Sequence, residues 1–352
     1  MRFTVVGAGA IGGTIGAHLA RAGHDVLLVD AAPDHVEAID RDGLAIEGRA
    51  PFRVRVPAVT PAGLADACAT RPLEAVLLAV KAQHTRAALE PLASLLGPAS
   101  FVASMQNGLN ERVIAARIGA GRTIGAFVNF GGDYLAPGRI LHGGPGALYL
   151  GELDGRISPR LERLGAVLRD AFLPDTQLTT NIWGYLWGKL GYSAMLYATA
   201  TVDEPIADVL ADRDNRAFLA NLAGEVVRAA DAEGVHPEGF DGYEPAAMRF
   251  TQRRDWAAIH RSFDRLVAFN RASLKQKSGN WRDLAVRRRR TDVDYMTGVV
   301  LEAGRTHGLD LPLCARLVAL IHEIEEGRPM APDNLAELRR ASAAAYGTDG
   351  SA

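Results

Sequence analysis

A glycine-rich loop directly after a short apolar run constrains the fold of this 352-residue chain more than any other feature. Residues 3–6 (FTVV) have the composition of a buried strand, and residues 11–22 have the periodicity of a helix. The loop between them is Gly7-Ala8-Gly9-Ala10-Ile11-Gly12, which has the pattern GxGxxG. A glycine turn that follows a strand and opens a helix is typical of a parallel βαβ unit.

The rest of the first half continues this alternation of strands and helices. Further buried-strand candidates lie at 26–29, 75–80 and 101–104, and helix-like segments follow them. Runs that are apolar on both faces and separated by helices predict a parallel, doubly wound sheet. From 123 to 151, short strands with GGD, PG and GGPG turns predict hairpins at a sheet edge.

No convincing strand follows residue 180. Helical periodicity covers the segments 182–200, 213–233, 255–276, 283–307 and 312–326. The fold class is therefore predicted to be α/β, with an N-terminal Rossmann-type doubly wound parallel sheet and an all-α C-terminal domain. We expect domains at 1–180 and 181–340, and a disordered tail at 341–352, where SAAAYGTDGSA has no hydrophobic stripe.

Composition excludes several classes of protein. The net charge of −2 gives no basic field for nucleic acid or an anionic membrane. Two distant cysteines argue against a disulfide framework, and the nine histidines form no paired metal motif, so we expect no metal. The segment MRFTVVGAGAIGG is a poor signal peptide, and the apolar stretch 182–201 carries Lys189 near its centre. A cytoplasmic protein is expected.

The glycine loop and one carboxylate predict a dinucleotide site. Gly7 allows the tight turn, Gly9 lets the backbone approach a pyrophosphate, and Gly12 lets helix and strand pack closely. Asp30 ends the second strand 23 residues after Gly7, where a carboxylate can accept hydrogen bonds from ribose hydroxyls. The alternative is a glycine-rich turn that binds no ligand.

Lys189 is the only charged residue in the 27 residues from Thr176 to Val202. A lysine in apolar surroundings is costly to bury without a partner or a function. Either it is functional, or it reaches the surface as an ordinary solvated side chain.

Four further segments, in order along the chain, carry a family resemblance. They are LAVKAQ at 78–83, SMQNG at 104–108, WGKL at 187–190 and RTDVDY at 290–295. With GAGAIG at the start, the chain resembles the ketopantoate reductases (2-dehydropantoate 2-reductases) from residue 1 to about 327. The resemblance implies that NADPH delivers hydride to a 2-oxo acid bound between a Rossmann domain and a helical domain. That helical domain would also provide the contact of a homodimer, if one forms.

The resemblance also implies roles for individual residues. Lys189 matches the family's general acid, which would stabilise and protonate the developing alkoxide. Asn107 matches an asparagine that helps to hold substrate or nicotinamide, although a plain Asn-Gly turn is the alternative. Lys81, with Gln83 in the same motif, matches a position beside the nicotinamide end of the cofactor, although Lys81 is equally well read as a solvated lysine at a helix start.

The chain departs from the family at the substrate positions. Ser193 replaces an asparagine four residues after the lysine, and Asp292 replaces a glutamate that grips the substrate's hydroxyl end. A serine of the family also binds the hydroxyl end of the substrate, and its counterpart here could be Ser278, Asn280 or neither. In the same segment Trp281 and Arg282 would suit a larger substrate or one with a second carboxylate, or would serve as core packing and surface charge. The adjacent run 287–290 (RRRR) is read as a solvated helix face.

The cofactor prediction departs from the family as well. Ketopantoate reductases usually carry a basic residue at the position of Asp30, where it receives the 2′-phosphate of NADPH. A carboxylate there favours NAD(H), with NADP(H) as the family default, unless Asp30 turns outward and a distant arginine binds the phosphate. His35 is the nearest weak substitute. The rival functions are an imine-reducing, opine-type dehydrogenase on the same plan and a non-catalytic dinucleotide sensor.

Overall fold

The fold is taken from a computed structural model that describes residues 1–70, 72–144, 146–273 and 275–347. The chain divides into two compact units, unit 1 (Met1–Ile182) and unit 2 (Trp183–Ala352).

Unit 1 alternates strands and helices. Its described strands are β1 (Arg2–Val6), β2 (Asp25–Val29), β3 (Leu44–Gly48), β4 (Phe52–Val54), β5 (Ala58–Val59), β6 (Leu73–Leu78), β7 (Leu96–Ser104), β8 (Thr123–Asn129), β9 (Gly132–Ala136), β10 (Arg139–His142), β11 (Ala147–Glu152) and β12 (Thr176–Leu178). Its described helices are α1 (Ala10–Arg21), α2 (Pro33–Asp42), α3 (Leu64–Thr70), α4 (Thr85–Leu95), α5 (Asn110–Ile118) and α6 (Pro159–Ala171).

The main sheet of unit 1 has the strand order β12-β11-β8-β7-β6-β1-β2-β5 in the described residues. All its pairs are parallel except β11 with β8. Central strands such as β1 and β6 are buried on both faces, because helices cover the sheet on either side. The predicted Rossmann-type sheet is confirmed.

The hairpin predicted at a sheet edge is β9–β10, and it lies at the edge of a second, four-stranded sheet. β9 and β10 pair with β3 and β4 in the order β4-β3-β10-β9. Ile140 of β10 is fully buried against α1, where a Cβ on Gly13 would lie 2.3 Å from its side chain. The turn at Gly138 (φ +69°) therefore lies beside α2 and not in the main sheet. The hairpin was predicted from local turn residues, whereas its sheet depends on this distant contact.

Unit 2 is helical, as predicted. Its described helices are α7 (Ile182–Thr199, beginning at the last residue of unit 1), α8 (Ile206–Ala211), α9 (Arg213–Ala232), α10 (Trp256–Ala272), α11 (Gly279–Ala285), α12 (Val293–Thr306), α13 (Pro312–Glu325) and α14 (Pro332–Tyr346). None of the helices in the described part of the chain combines the length and apolarity that a bilayer crossing requires.

Two expectations for unit 2 are wrong. The helix expected over 283–307 is broken between α11 and α12, so the arginine run 287–290 is exposed but not helical. Arg288 has a φ of +46°, and Arg287 and Arg289 both bond to the buried carboxylate of Asp283, which turns the chain out of α11. The tail expected to be disordered from 341 is helical to Tyr346, whose hydroxyl donates to Glu225 (2.7 Å); residues 348–352 lie outside the described residues.

Candidate active site

The glycine loop follows β1 at the carboxyl edge of the main sheet, beside the end of β6. Gly7 has a φ of +94°, and a Cβ there would lie 2.7 Å from the Val80 nitrogen. A Cβ on Gly12 would lie 2.1 Å from the Gly7 carbonyl oxygen, whereas a Cβ on Gly9 would meet nothing within 4 Å. Gly7 and Gly12 therefore serve close packing, while Gly9 leaves open space at the start of α1. The loop fits a pyrophosphate approaching the free N–H groups of that helix.

Asp30 follows β2, the neighbour of β1, and its carboxylate is directed at the glycine loop. The Ala8 N–H donates to Oδ2 at 2.8 Å, and the Ala32 N–H donates to Oδ1 at 3.0 Å. The carboxylate is partly buried and accepts one bond at each oxygen. Each oxygen keeps acceptor capacity, because a carboxylate oxygen can accept two hydrogen bonds.

Lys81, Gln83 and Asn107 lie at the same edge of the sheet. The first two follow β6, and Asn107 follows β7, with which β6 pairs in parallel. All three side chains belong to exposed residues. The carboxyl ends of β7, β6, β1 and β2 therefore bring every predicted dinucleotide residue of unit 1 to one edge. In open α/β sheets ligands bind at this edge, where the strand order reverses.

A buried polar network joins these loops beneath the surface. Gln106 donates to the Val80 carbonyl and to the Thr85 hydroxyl, both at 2.8 Å. That hydroxyl donates to the Asn110 side chain, whose amide donates to the Asn107 carbonyl at 2.6 Å. The network fixes the backbone of Asn107 relative to the end of β6. Sequence reasoning missed these supporting residues, although Gln106 stands in the SMQNG motif.

Glu111, in the first turn of α5, is fully buried beside Gly125 of β8. Neither carboxyl oxygen has a hydrogen-bond partner of regular geometry among the described residues. Burial raises the pKa of Glu111 to about 8, and its own backbone and the Ser104 hydroxyl oppose this only in part. The carboxyl is therefore largely protonated at neutral pH.

Lys189 lies on α7, a helix that glycines allow to pack closely on one side. A Cβ on Gly188 would lie 2.1 Å from the Glu238 carbonyl oxygen, and one on Gly191 would lie 2.3 Å from the Tyr243 hydroxyl. Lys189 is half-buried beside this contact. The residues around Lys189 are uncharged because α7 is packed within unit 2.

Ser193 and Tyr197 follow Lys189 at intervals of four, which places the three side chains along one face of α7. Tyr197 is fully buried, and its hydroxyl donates to Oδ1 of Asp292. Burial and the negative charge of Asp292 raise the pKa of Tyr197 well above its usual value. The phenol therefore stays protonated as a donor. The structure thus brings Asp292 to the helix face that carries Lys189, and Tyr197 is a residue that sequence reasoning missed despite its i+8 spacing.

A second set of contacts holds the segment before α12 that contains Asp292. The Thr291 N–H and hydroxyl both donate to Glu325 Oε1, at 2.7 and 2.8 Å. His322 lies between Glu325 and Asp294, at 3.2 and 2.9 Å. Although burial lowers the pKa of His322, these two carboxylates raise it overall.

Ser278 caps α11, and its hydroxyl oxygen accepts from the Trp281 N–H at 3.1 Å. That bond leaves the Ser278 hydroxyl proton available to another acceptor. Asn280 and Arg282 are half-buried on the same short helix. The Lys277 ammonium lies 4.1 Å from the centre of the Trp281 ring, so the indole is held in place by a cation–π contact.

Comparisons with known proteins match both units. The family description "Ketopantoate reductase PanE/ApbA" matches residues 3–155, and its C-terminal counterpart matches residues 181–325. A 2-dehydropantoate 2-reductase from Mesorhizobium japonicum is 32% identical over 271 residues, or 68% of this chain and 79% of that protein.

Solved structures of similar fold cover nearly the whole chain. A PanE/ApbA family ketopantoate reductase from Ralstonia eutropha JMP134 has a TM-score of 0.75 at 27% identity, over 93% of this chain and 99% of that one. A D-mandelate dehydrogenase solved with NADH and anilino(oxo)acetate has a TM-score of 0.77 at 20% identity, with the same coverage. This chain is thus a member of the ketopantoate reductase family of NAD(P)-dependent oxidoreductases.

Proposed function

We propose that this protein uses NADH to reduce a 2-oxo acid, either ketopantoate or a related larger acid, to the 2-hydroxy acid, with Lys189 as the general acid. The main support for this proposal is a set of polar side chains on one face of α7. Lys189 and Ser193 share a helix face with Tyr197, whose hydroxyl bonds to Asp292. A proton donor and a polar grip for substrate hydroxyls therefore lie on the same side of unit 2.

The glycine loop would hold the pyrophosphate of the dinucleotide, with Lys81, Gln83 and Asn107 towards its nicotinamide end. When bound, the dinucleotide supplies the hydride that adds to the carbonyl carbon of the substrate. Lys189 donates a proton from Nζ to the carbonyl oxygen, because negative charge develops there as the hydride adds. Asp292, held by Tyr197, accepts hydrogen bonds from substrate hydroxyls, and Ser278 or Asn280 assists it.

The contacts of Asp30 support a preference for NADH. Its carboxylate accepts from the Ala8 and Ala32 N–H groups, so it faces the glycine loop and does not turn outward. It would repel a 2′-phosphate but accept bonds from a free ribose diol. His35 offers no compensating charge, because its Nδ1 accepts the Gly138 N–H and its Nε2 bonds to the Ala8 carbonyl. The D-mandelate dehydrogenase of similar fold was solved with NADH bound, which is compatible with this proposal.

The substitutions around Asp292 support a substrate larger than ketopantoate. Ser193 has a shorter side chain than the asparagine of the family, so it occupies less volume on the α7 face. Trp281 adds an aromatic surface that Lys277 holds in place. Arg282, on the same helix, would pair with a second carboxylate.

The test is a panel of 2-oxo acids, with and without added amines, assayed with NADH and with NADPH. We expect turnover without an amine and a higher kcat/KM with NADH, and we expect Asp30→Arg to reverse the cofactor preference. An absolute requirement for an amine would indicate an imine-reducing dehydrogenase. Binding of NADH without turnover of any acid would indicate a sensor. Equal kcat/KM values for the two cofactors would refute the role of Asp30.

A further inference from the structure

The peptide groups on both sides of Ala8, inside the glycine loop, are held by side chains from outside the loop. The Ala8 N–H donates to Asp30 Oδ2 at 2.8 Å, and the Ala8 carbonyl contacts His35 Nε2 at 2.9 Å. His35 lies in the first turn of α2 and is only 1% exposed. The proposed chemistry assigns no role to His35, although this buried side chain bonds to the loop that would bind the dinucleotide.

The hydrogen bonds of His35 define its tautomer. The Gly138 N–H donates to Nδ1 at 2.9 Å, so Nδ1 carries no proton in this arrangement. Nε2 then carries the proton and donates to the Ala8 carbonyl. The imidazole is therefore a neutral bridge with one donor and one acceptor, and each has a backbone partner.

The bridge connects three elements that are distant in sequence. His35 is 27 residues from Ala8 and 103 residues from Gly138. Gly138 lies in the β9–β10 turn, and its carbonyl accepts the Ala45 N–H at 2.9 Å, which ties the turn to β3. The Tyr134 ring of β9 packs against the imidazole at a centroid distance of 5.0 Å. Through the His35 side chain, the second sheet thus supports the glycine loop.

We propose that His35 is a positioning residue of the dinucleotide site. Its Nε2–H fixes the Ala8 carbonyl, and this keeps the preceding N–H on Asp30 and the carboxylate aimed at the ribose. The inference rests on the proposed dinucleotide site and adds a residue that determines its affinity. Loss of one buried hydrogen bond of this kind weakens binding by roughly tenfold when the group it holds must be re-ordered by the ligand.

Two substitutions separate the two bonds of His35. His35→Gln places an amide N–H near the position of Nε2 and retains the bond to Ala8. His35→Asn places its oxygen near the position of Nδ1 and retains only the bond to Gly138. Each variant loses one of the two backbone hydrogen bonds that the buried imidazole makes. If the role of His35 were purely structural, both variants would lose similar amounts of stability and of affinity for NADH.

The measurement is the Kd of NADH, by titration of nicotinamide fluorescence without any 2-oxo acid, together with the Tm of each variant and the KM of the 2-oxo acid. We expect His35→Asn to weaken NADH by about tenfold and His35→Gln to stay within about threefold of wild type, with the KM of the acid unchanged. Equal Kd values for both variants, whether weakened or not, would overturn the inference. A wild-type protein that binds no dinucleotide would overturn the proposed function with it.

A surface variant keeps the inference testable if neither His35 variant folds. Tyr134→Ala removes the ring that supports the imidazole, and Leu135→Ala on the same strand is the control, because both residues are exposed. We expect Tyr134→Ala to weaken NADH by about threefold relative to Leu135→Ala, since it loosens the bridge without removing it. Identical Kd values for these two variants would then overturn the role of His35.

Discussion

Replacing Glu111 with glutamine should change how the stability of unit 1 depends on pH. Glu111 is fully buried, and its pKa in the folded protein is about 8, against an ordinary value of 4.5. Between these values the unfolded chain loses the proton and the folded chain keeps it. The folded state therefore binds more protons, and its stability must fall as the pH rises.

The magnitude follows from the two pKa values. The ionisable Glu111 lowers the free energy of unfolding by nothing well below pH 4.5, by about 3 kcal/mol at pH 7, and by about 5 kcal/mol above pH 8. Each pH unit between the two pKa values contributes ~1.4 kcal/mol. Between pH 5 and pH 7 this loss of folding free energy grows by about 2–3 kcal/mol. Because one kcal/mol shifts the Tm by about 2–4 °C in a domain of this size, the difference in Tm between the variant and wild type should grow by about 5–10 °C.

The assay is thermal unfolding of wild type and Glu111→Gln from pH 5 to pH 8, followed by near-ultraviolet circular dichroism. Glutamine keeps the size and polarity of the neutral carboxyl but cannot ionise. Glu162→Gln, at an exposed position on α6, is the matched control, and its Tm should follow that of wild type at every pH. Parallel curves for wild type and Glu111→Gln would refute the reasoning, because they would mean that Glu111 ionises equally in both states.

Three further predictions concern unit 2. Lys189→Ala should lower kcat by ~10²–10⁴ while the Kd of NADH stays unchanged, and a wild-type kcat would remove Lys189 from the acid role. Tyr197→Phe removes a donor from the buried Asp292 carboxylate and should raise the KM of the 2-oxo acid by about tenfold, with the Kd of NADH unchanged; a selective loss of NADH binding would contradict this placement. His322 should stabilise the fold below its ordinary pKa of 6.5 and lose that contribution as the pH rises through its raised folded value. Wild type should therefore lose Tm relative to His322→Gln above about pH 6.5, and a constant difference would contradict this.

Most of the main sheet, and the meeting of the candidate dinucleotide residues at one edge of it, could be predicted because the signals are local. A glycine turn between a strand and a helix specifies its own backbone path, and strands buried on both faces have apolar runs that need no partner to be recognised. The residues at the ends of such strands must then meet at one edge of the sheet. Gly7, Asp30 and Asn107 were accessible to this reasoning before any contact was known.

The sequence by itself therefore determined the Rossmann-type sheet, the helical second unit and the motifs of the ketopantoate reductase family, since each depends on residue spacing. Only the tertiary structure decided which side chains support them. The bridge from Ala8 through His35 to Gly138, and the bond from Tyr197 to Asp292, join residues 27 to 103 positions apart. Sequence periodicity cannot predict such pairs, because a buried polar contact depends on how the elements pack and not on the secondary-structure propensity of either residue. For the same reason the β9–β10 hairpin could be predicted from its turn residues, whereas the sheet that it joins could not.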